Sequence, residues 1–158
     1  MRRAYFLMAT LLLGGFSYKL IAYFTATGEA WAAQVYMLLI TLVAWQSVEA
    51  AYGKGASGFL DRLKIAMRPV VVFAVSVSLF TWFYYAQVDT DFMQIMIVER
   101  LDAAQKAGVS AEELQKMRGN LELFFSARLH SLLVGFILLG YGIISTVSLN
   151  FALSRLRR

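Results

Sequence analysis

Three groups of residues in this chain have types and spacings that could do chemistry. Lys19 and Glu49 stand inside long apolar runs, where an ionisable side chain is costly and marks a functional candidate. His130, the lone histidine, sits beside Arg128. Ser131, Gly135, Gly142 and Thr146 follow at spacings of four, seven and four, which puts four small residues on one helix face.

An amine and a carboxylate inside membrane spans could form a proton or ion path. Depth argues against pairing them. At a rise of about 1.5 Å per residue, Lys19 lies about 7 Å outward of its span's midpoint and Glu49 about 12 Å inward of its own, so roughly 20 Å separates them in depth. The simpler reading has Lys19 snorkelling outward and Glu49 meeting the interface near Lys54 or the basic segment after it. His130 has no second histidine and no nearby carboxylate, so it makes a poor metal site and reads as an interfacial side chain. The small-residue face lets two helix backbones approach closely, within the protomer or, alternatively, between subunits.

Other chemistry finds no residues to carry it. There is no cysteine, hence no disulfide framework, thiolate nucleophile or Cys-based metal site. No GxSxG, HExxH, Walker-type or GxGxxG pattern occurs, and Gly53, Gly55 and Gly58 are not followed by GK[ST]. The sequence therefore reads as non-catalytic and implies no cofactor.

The elements that must hold these residues are set by composition. Of 158 residues, 59% are hydrophobic and 16% charged, with a mean hydropathy of +0.62. So small a globule cannot hide that much apolar surface from water. The fold expected is all-α, a polytopic membrane protein with four transmembrane helices at about 4–24, 30–52, 69–87 and 129–153, in a single membrane domain covering 1–158. The first run is longer than the apolar core of a secretory signal, about 7–15 residues, and reads as a retained helix. Residues 53–68 (GKGASGFLDRLKIAMR) pass from glycines into an amphipathic pattern. Phe59, Leu60, Leu63, Ala66 and Met67 fall on one side and Asp61, Arg62 and Lys64 largely on the other, which suits a short cytoplasmic helix lying in the interface, its basic face toward headgroups. Pro69 disfavours the α conformation at Arg68 and suits a first turn, so the third span is expected to begin there.

The formal charge is +5 and the pI about 9.6. The basic residues lie mostly beside the spans, so topology explains them and nucleic acid is not implied as a partner. One side holds Arg2, Arg3, Lys54, Arg62, Lys64, Arg68, Arg155, Arg157 and Arg158. The other holds Arg100, Lys106, Lys116, Arg118 and Arg128, diluted by Asp and Glu within 88–128. Cytoplasmic termini follow from this asymmetry. Trp31 at one span end, and Trp82, Tyr84 and Tyr85 at another, would then form an aromatic belt at the outer interface.

Residues 88–128 read as an extracytoplasmic amphipathic αα-hairpin between spans three and four. Asp89, Thr90 and Asp91 offer capping oxygens before Phe92. The first helix carries Met93, Met96, Ile97, Leu101 and Ala104 on one face, and Gly108 ends it. Ser110 and Glu113 form a capping box that opens a second helix presenting Leu114, Met117, Leu121, Phe124 and Phe125. The two stripes face each other, lipid or a partner. Gly119 and Asn120 weaken the second helix, which could otherwise run on into the fourth span.

The order of these features is an apolar hairpin, GASGFLDRLKIAM, a third span ending in aromatics, DTDF, a charged hairpin carrying GVSAEELQKM, and a glycine-containing last span. Over nearly the whole chain it resembles the small bacterial membrane-protein family catalogued as domain of unknown function 4199. That resemblance implies a four-pass protein of a bacterial inner membrane and implies no activity. The functional expectation is an accessory or scaffold protein, embedded in the lipid bilayer, that binds a membrane-protein partner or forms a homo-oligomer through the hairpin and the small-residue face. A small oligomeric transporter or channel, and a membrane-bound sensor, are the alternatives.

Overall fold

The computed structural model describes residues 2–25, 31–56 and 58–156. Among these every regular element is helical, in the order α1 (Arg2–Thr25), α2 (Ala32–Gly53), α3 (Phe59–Phe83), a π-helical turn (Tyr84–Val88), α4 (Phe92–Lys106), α5 (Ala111–Phe124) and α6 (Ala127–Leu156). Four of them, α1, α2, α3 with its π-helical extension, and α6, are long and apolar enough to cross a membrane. The turn expected between the first two spans lies outside the described residues but for Thr25.

The chain divides into two compact units, Met1–Val77 with Gly135–Arg158, and Ser78–Val134. In the first unit α1 and α2 pack on each other. Ala4, Met8, Gly15, Lys19 and Ala22 form the buried stripe of α1. Tyr36, Ile40, Val43, Ala44, Ser47, Val48 and Ala51 form that of α2. The spacing of three and four is that of a helix presenting one face to protein. Gly15 permits the close approach. A Cβ there would lie 3.0 Å from both Leu39 Cδ1 and Tyr36 Cε1, and the Tyr36 hydroxyl donates to the Gly15 carbonyl at 3.2 Å.

Gly55, at φ +73°, ends α2. Its amide donates to the Tyr52 carbonyl at 3.0 Å and that of Ala56 to the Ala51 carbonyl at 3.4 Å, the paired bonds of a Schellman cap. The next helix corrects the boundary expected at Pro69. Helix α3 starts ten residues earlier, at Phe59, and runs through the proline. Proline removes one helical bond, that to the Ile65 carbonyl, and usually costs about 3 kcal/mol in a helix interior. Here Pro69 is fully buried, with Ala66, Val70, Phe73, Ala74 and Val77 continuing its buried face. Packing along this face holds the helix through the proline, as apolar bundles often allow.

In the second unit α4 and α5 pack against each other across a turn built on Gly108, at φ +83°. The Gly108 amide donates to Gln105 and the Val109 amide to Ala104, again the Schellman pair. Ser110 then caps α5, its hydroxyl accepting from the Glu113 amide at 3.4 Å while the Glu113 carboxylate accepts from the Ser110 amide at 3.3 Å. The start of α4 lacks the side-chain cap expected of it. Asp91 precedes it in helical conformation, with no capping bond from its side chain, because a carboxylate folds back onto the first-turn amides from an extended backbone, not from φ −84°, ψ −22°. Helix α5 also runs past Gly119 and Asn120. It stops at Phe125, and Ser126 caps α6 by accepting from the Leu129 amide at 3.2 Å.

Candidate functional site

A polar cluster of the first unit gathers where α2 ends, α3 begins and α6 nears its C-terminus. Asn150 is fully buried and uses both ends of its amide. Its Oδ1 accepts from Arg62 Nε at 3.0 Å, and its Nδ2 donates to the Phe59 carbonyl at 3.0 Å. Arg62 also donates from Nη1 to the Ala56 carbonyl at 3.2 Å and stacks over the Tyr52 ring at 4.5 Å. The Tyr52 hydroxyl reaches the Asn150 carbonyl at 3.4 Å. A guanidinium partly removed from water needs such acceptors and a π face to offset lost hydration. The arrangement is that of a lock, tying the α2–α3 turn to α6.

This corrects the expected orientation of Arg62. The amphipathic pattern put it on a headgroup-facing side, whereas it points inward. An acceptor carried by α6 outweighs the local pattern, because a charge-assisted hydrogen bond is worth about 1.5–3 kcal/mol.

Glu49 lies near this cluster in sequence but faces a different feature. With Arg2, Arg3, Gln46 and Lys54 it lines an open groove of about 500 Å³ between the start of α1 and the end of α2. Lys19 lies 16 residues beyond Arg3 on the same helix, which is about 24 Å along its axis. The structure therefore does not bring Lys19 and Glu49 together. Nor does Lys19 snorkel outward, as the sequence suggested. Only 6% of it is exposed, because its four-residue step from Gly15 and three-residue step to Ala22 set it on the stripe that α1 buries.

The small-residue face of α6 is turned inward. Ser131 and Thr146 are buried, Gly135 is half-buried and Gly142 buried. A Cβ at Gly142 would come within 2.5 Å of Val70 Cγ1 and 2.9 Å of Ile40 Cδ1, so this glycine lets α6 approach both α2 and α3. Thr146 donates to the Gly142 carbonyl at 2.7 Å, which satisfies its hydroxyl without a partner helix.

In the second unit Ser78 donates to the Ser131 carbonyl at 2.7 Å, joining α3 to α6. Tyr84 and Tyr85, at the π-helical turn, are buried. Tyr85 meets His130 edge to face at 5.1 Å, Phe92 at 5.0 Å and Tyr84 at 5.0 Å. His130 is thus a member of an aromatic cluster. Tyr84 and Tyr85, expected in a lipid-facing belt, are buried, whereas Trp31 and Trp82 are exposed. The difference follows the helix itself: Tyr84 and Tyr85 continue, at steps of three and four, the buried stripe of Val70, Phe73, Val77 and Thr81, whereas Trp82 lies off it. Among the described residues no three His, Cys, Asp or Glu side chains converge as a metal site would need.

Sequence reasoning missed Asn150 and its partners. The signal was present, because Asn150 continues the four-residue step from Gly142 through Thr146, and an amide within a membrane helix needs partners. The chain matches no family model, no curated protein and no solved structure.

Proposed function

We propose that this chain is a non-catalytic accessory or scaffold protein of a bacterial inner membrane, its termini cytoplasmic and its α4–α5 hairpin displayed on the opposite side to bind another membrane protein. The bacterial inner-membrane assignment rests on the order of elements that resembles the four-pass family, and the orientation on the distribution of Lys and Arg. One observation carries the binding role. Met93 and Ile97 of α4 are buried, yet α5 buries none of its residues, and Ile95, Val98, Leu123 and Phe124 remain exposed. Apolar side chains standing among charges on an extramembrane element support a contact role over a purely structural one. The small-residue face, largely buried with Gly142 against Val70 and Ile40, supports packing within the protomer more than a subunit contact, and the separation of Lys19 from Glu49 lends a transporter reading little support.

Two measurements test the proposal. A cysteine at the exposed Gln105 should react with an impermeant thiol reagent in intact cells, and one at Leu156 only after permeabilisation; the reverse pattern overturns the orientation. A photo-cross-linking side chain at Ile95 or Val98 should capture a membrane protein in place, while the same group at Lys64 captures none. Absence of adducts at both hairpin positions rejects the binding role.

A further inference from the structure

The groove at the start of α1 has no part in the hairpin's binding role. Arg2, Arg3 and Lys54 supply three cations to its lining and Glu49 one carboxylate, so the lining carries a net charge of about +2 at neutral pH. Its volume of about 500 Å³ falls in the range of small-ligand sites, about 300–1,000 Å³. Helix α1 has 24 residues and is about 36 Å long, slightly more than the hydrocarbon thickness of a bilayer, about 30 Å. Its first residues, and with them the groove, therefore fall at headgroup depth. About one turn further along, Phe6 on α1 and Leu42 and Trp45 on α2 are exposed and apolar.

We propose that this groove binds the headgroup of an anionic glycerophospholipid, with Arg2, Arg3 and Lys54 holding its phosphate and the exposed apolar side chains beside it bearing on its acyl chains. Basic pockets between membrane helices recognise anionic headgroups in this manner. The juxtaposition of cations with apolar surface fits an amphiphile better than a free anion, for which the apolar part is idle. Glu49 sets the affinity by opposing the cations, which gives the proposal a sign that a structural role for the same carboxylate would not share.

The test uses the full chain in uncharged detergent, with native mass spectrometry counting bound short-chain phosphatidylglycerol or phosphatidylcholine. Phosphatidylglycerol should bind preferentially. Removing both arginines in R2Q/R3Q should weaken it roughly 30-fold, at about fivefold per cation, and K54Q about fivefold by the same rule. Glu49→Gln should tighten it about fivefold, whereas Lys64→Gln, a charge change outside the groove, should leave it unchanged. Arg2 and Arg3 are exposed, so the double variant should keep the parent's thermal midpoint. Equal binding of phosphatidylcholine, weaker binding in Glu49→Gln, or full displacement by inorganic phosphate would each overturn the proposal, the last by reducing the site to one for simple anions.

Discussion

The part of α6 in the first unit and helix α5 in the second distribute polar and apolar side chains in opposite ways. On α6 the buried positions include Gly142, Thr146 and Asn150, while Phe136 is 69% and Ile144 66% exposed. On α5 the exposed positions are mostly charged or amide residues, with Leu114, Met117 and Leu121 half-buried. The pattern of α6 is that of a helix apolar enough to cross a membrane, and the pattern of α5 is amphipathic. A hydrocarbon surround favours apolar side chains outside and forces polar groups to find partners inside. Water reverses both preferences. Buried polar side chains of the first unit follow the hydrocarbon rule, as Ser47 donates to the Val43 carbonyl at 2.6 Å and Thr146 to that of Gly142.

The contrast can be broken most severely at Asn150. In Asn150→Leu, Arg62 Nε loses its side-chain acceptor and the Phe59 carbonyl the Asn150 amide, two part-buried bonds worth about 1.5–3 kcal/mol for the one from the charged guanidinium and about 0.5–1.5 kcal/mol for the neutral one. We expect a loss of about 3 kcal/mol in reversible unfolding from mixed micelles. Unchanged stability would show that the lock contributes nothing to the bundle. Gly142→Ala comes next. Overpacking against Val70 and Ile40 should cost about 1–3 kcal/mol, whereas Gly140→Ala, with open space at its Cβ, should be neutral or stabilising by up to about 1 kcal/mol. Equal effects at the two glycines would mean that α6 can shift away from its neighbours. Smaller again is Ser110→Ala, expected to lose about 1 kcal/mol of cap energy. Faster amide hydrogen exchange in the first turn of α5, with α6 unaffected, would show it.

These features were unequally legible in the sequence. Four apolar helices follow from length and hydropathy, and the turn between α4 and α5 follows from Gly108 and the Ser110–Glu113 pair, because each depends on neighbours a few residues apart. Pro69 misled for a complementary reason. Its local preference is real, but the packing of Val70 and Phe73 that overrides it comes from elsewhere in the chain. Arg62 misled in the same way, since an amphipathic pattern reports the average side of a helix and not the acceptor opposite one residue, and Lys19 misled because its depth in the span says nothing of the face on which α1 is buried. The inward turn of Tyr84 and Tyr85 was legible, because they continue the three- and four-residue steps of the stripe through Phe73, Val77 and Thr81. Asn150 was the avoidable omission, as an amide in line with the small-residue face requires a partner by position alone.

The smallest effect concerns the exposed pair on α5. Arg118 Nε lies 3.5 Å from Glu122 Oε1, with the side chains 59% and 55% exposed. In water an exposed pair at this spacing stabilises a helix by about 0.3–0.5 kcal/mol, and less when the base precedes the acid, because that order opposes the helix dipole. Arg118→Ala should therefore change stability by less than about 0.5 kcal/mol, and the change should vanish in high salt. If α5 instead lay on the bilayer with this face against lipid, the pair would be poorly hydrated and poorly screened. Breaking it would then leave a carboxylate without its counter-charge in a low-dielectric layer, a loss of several kcal/mol. A large, salt-insensitive effect of Arg118→Ala in bilayers, absent in detergent, would place α5 on the membrane surface and remove the contrast with α6.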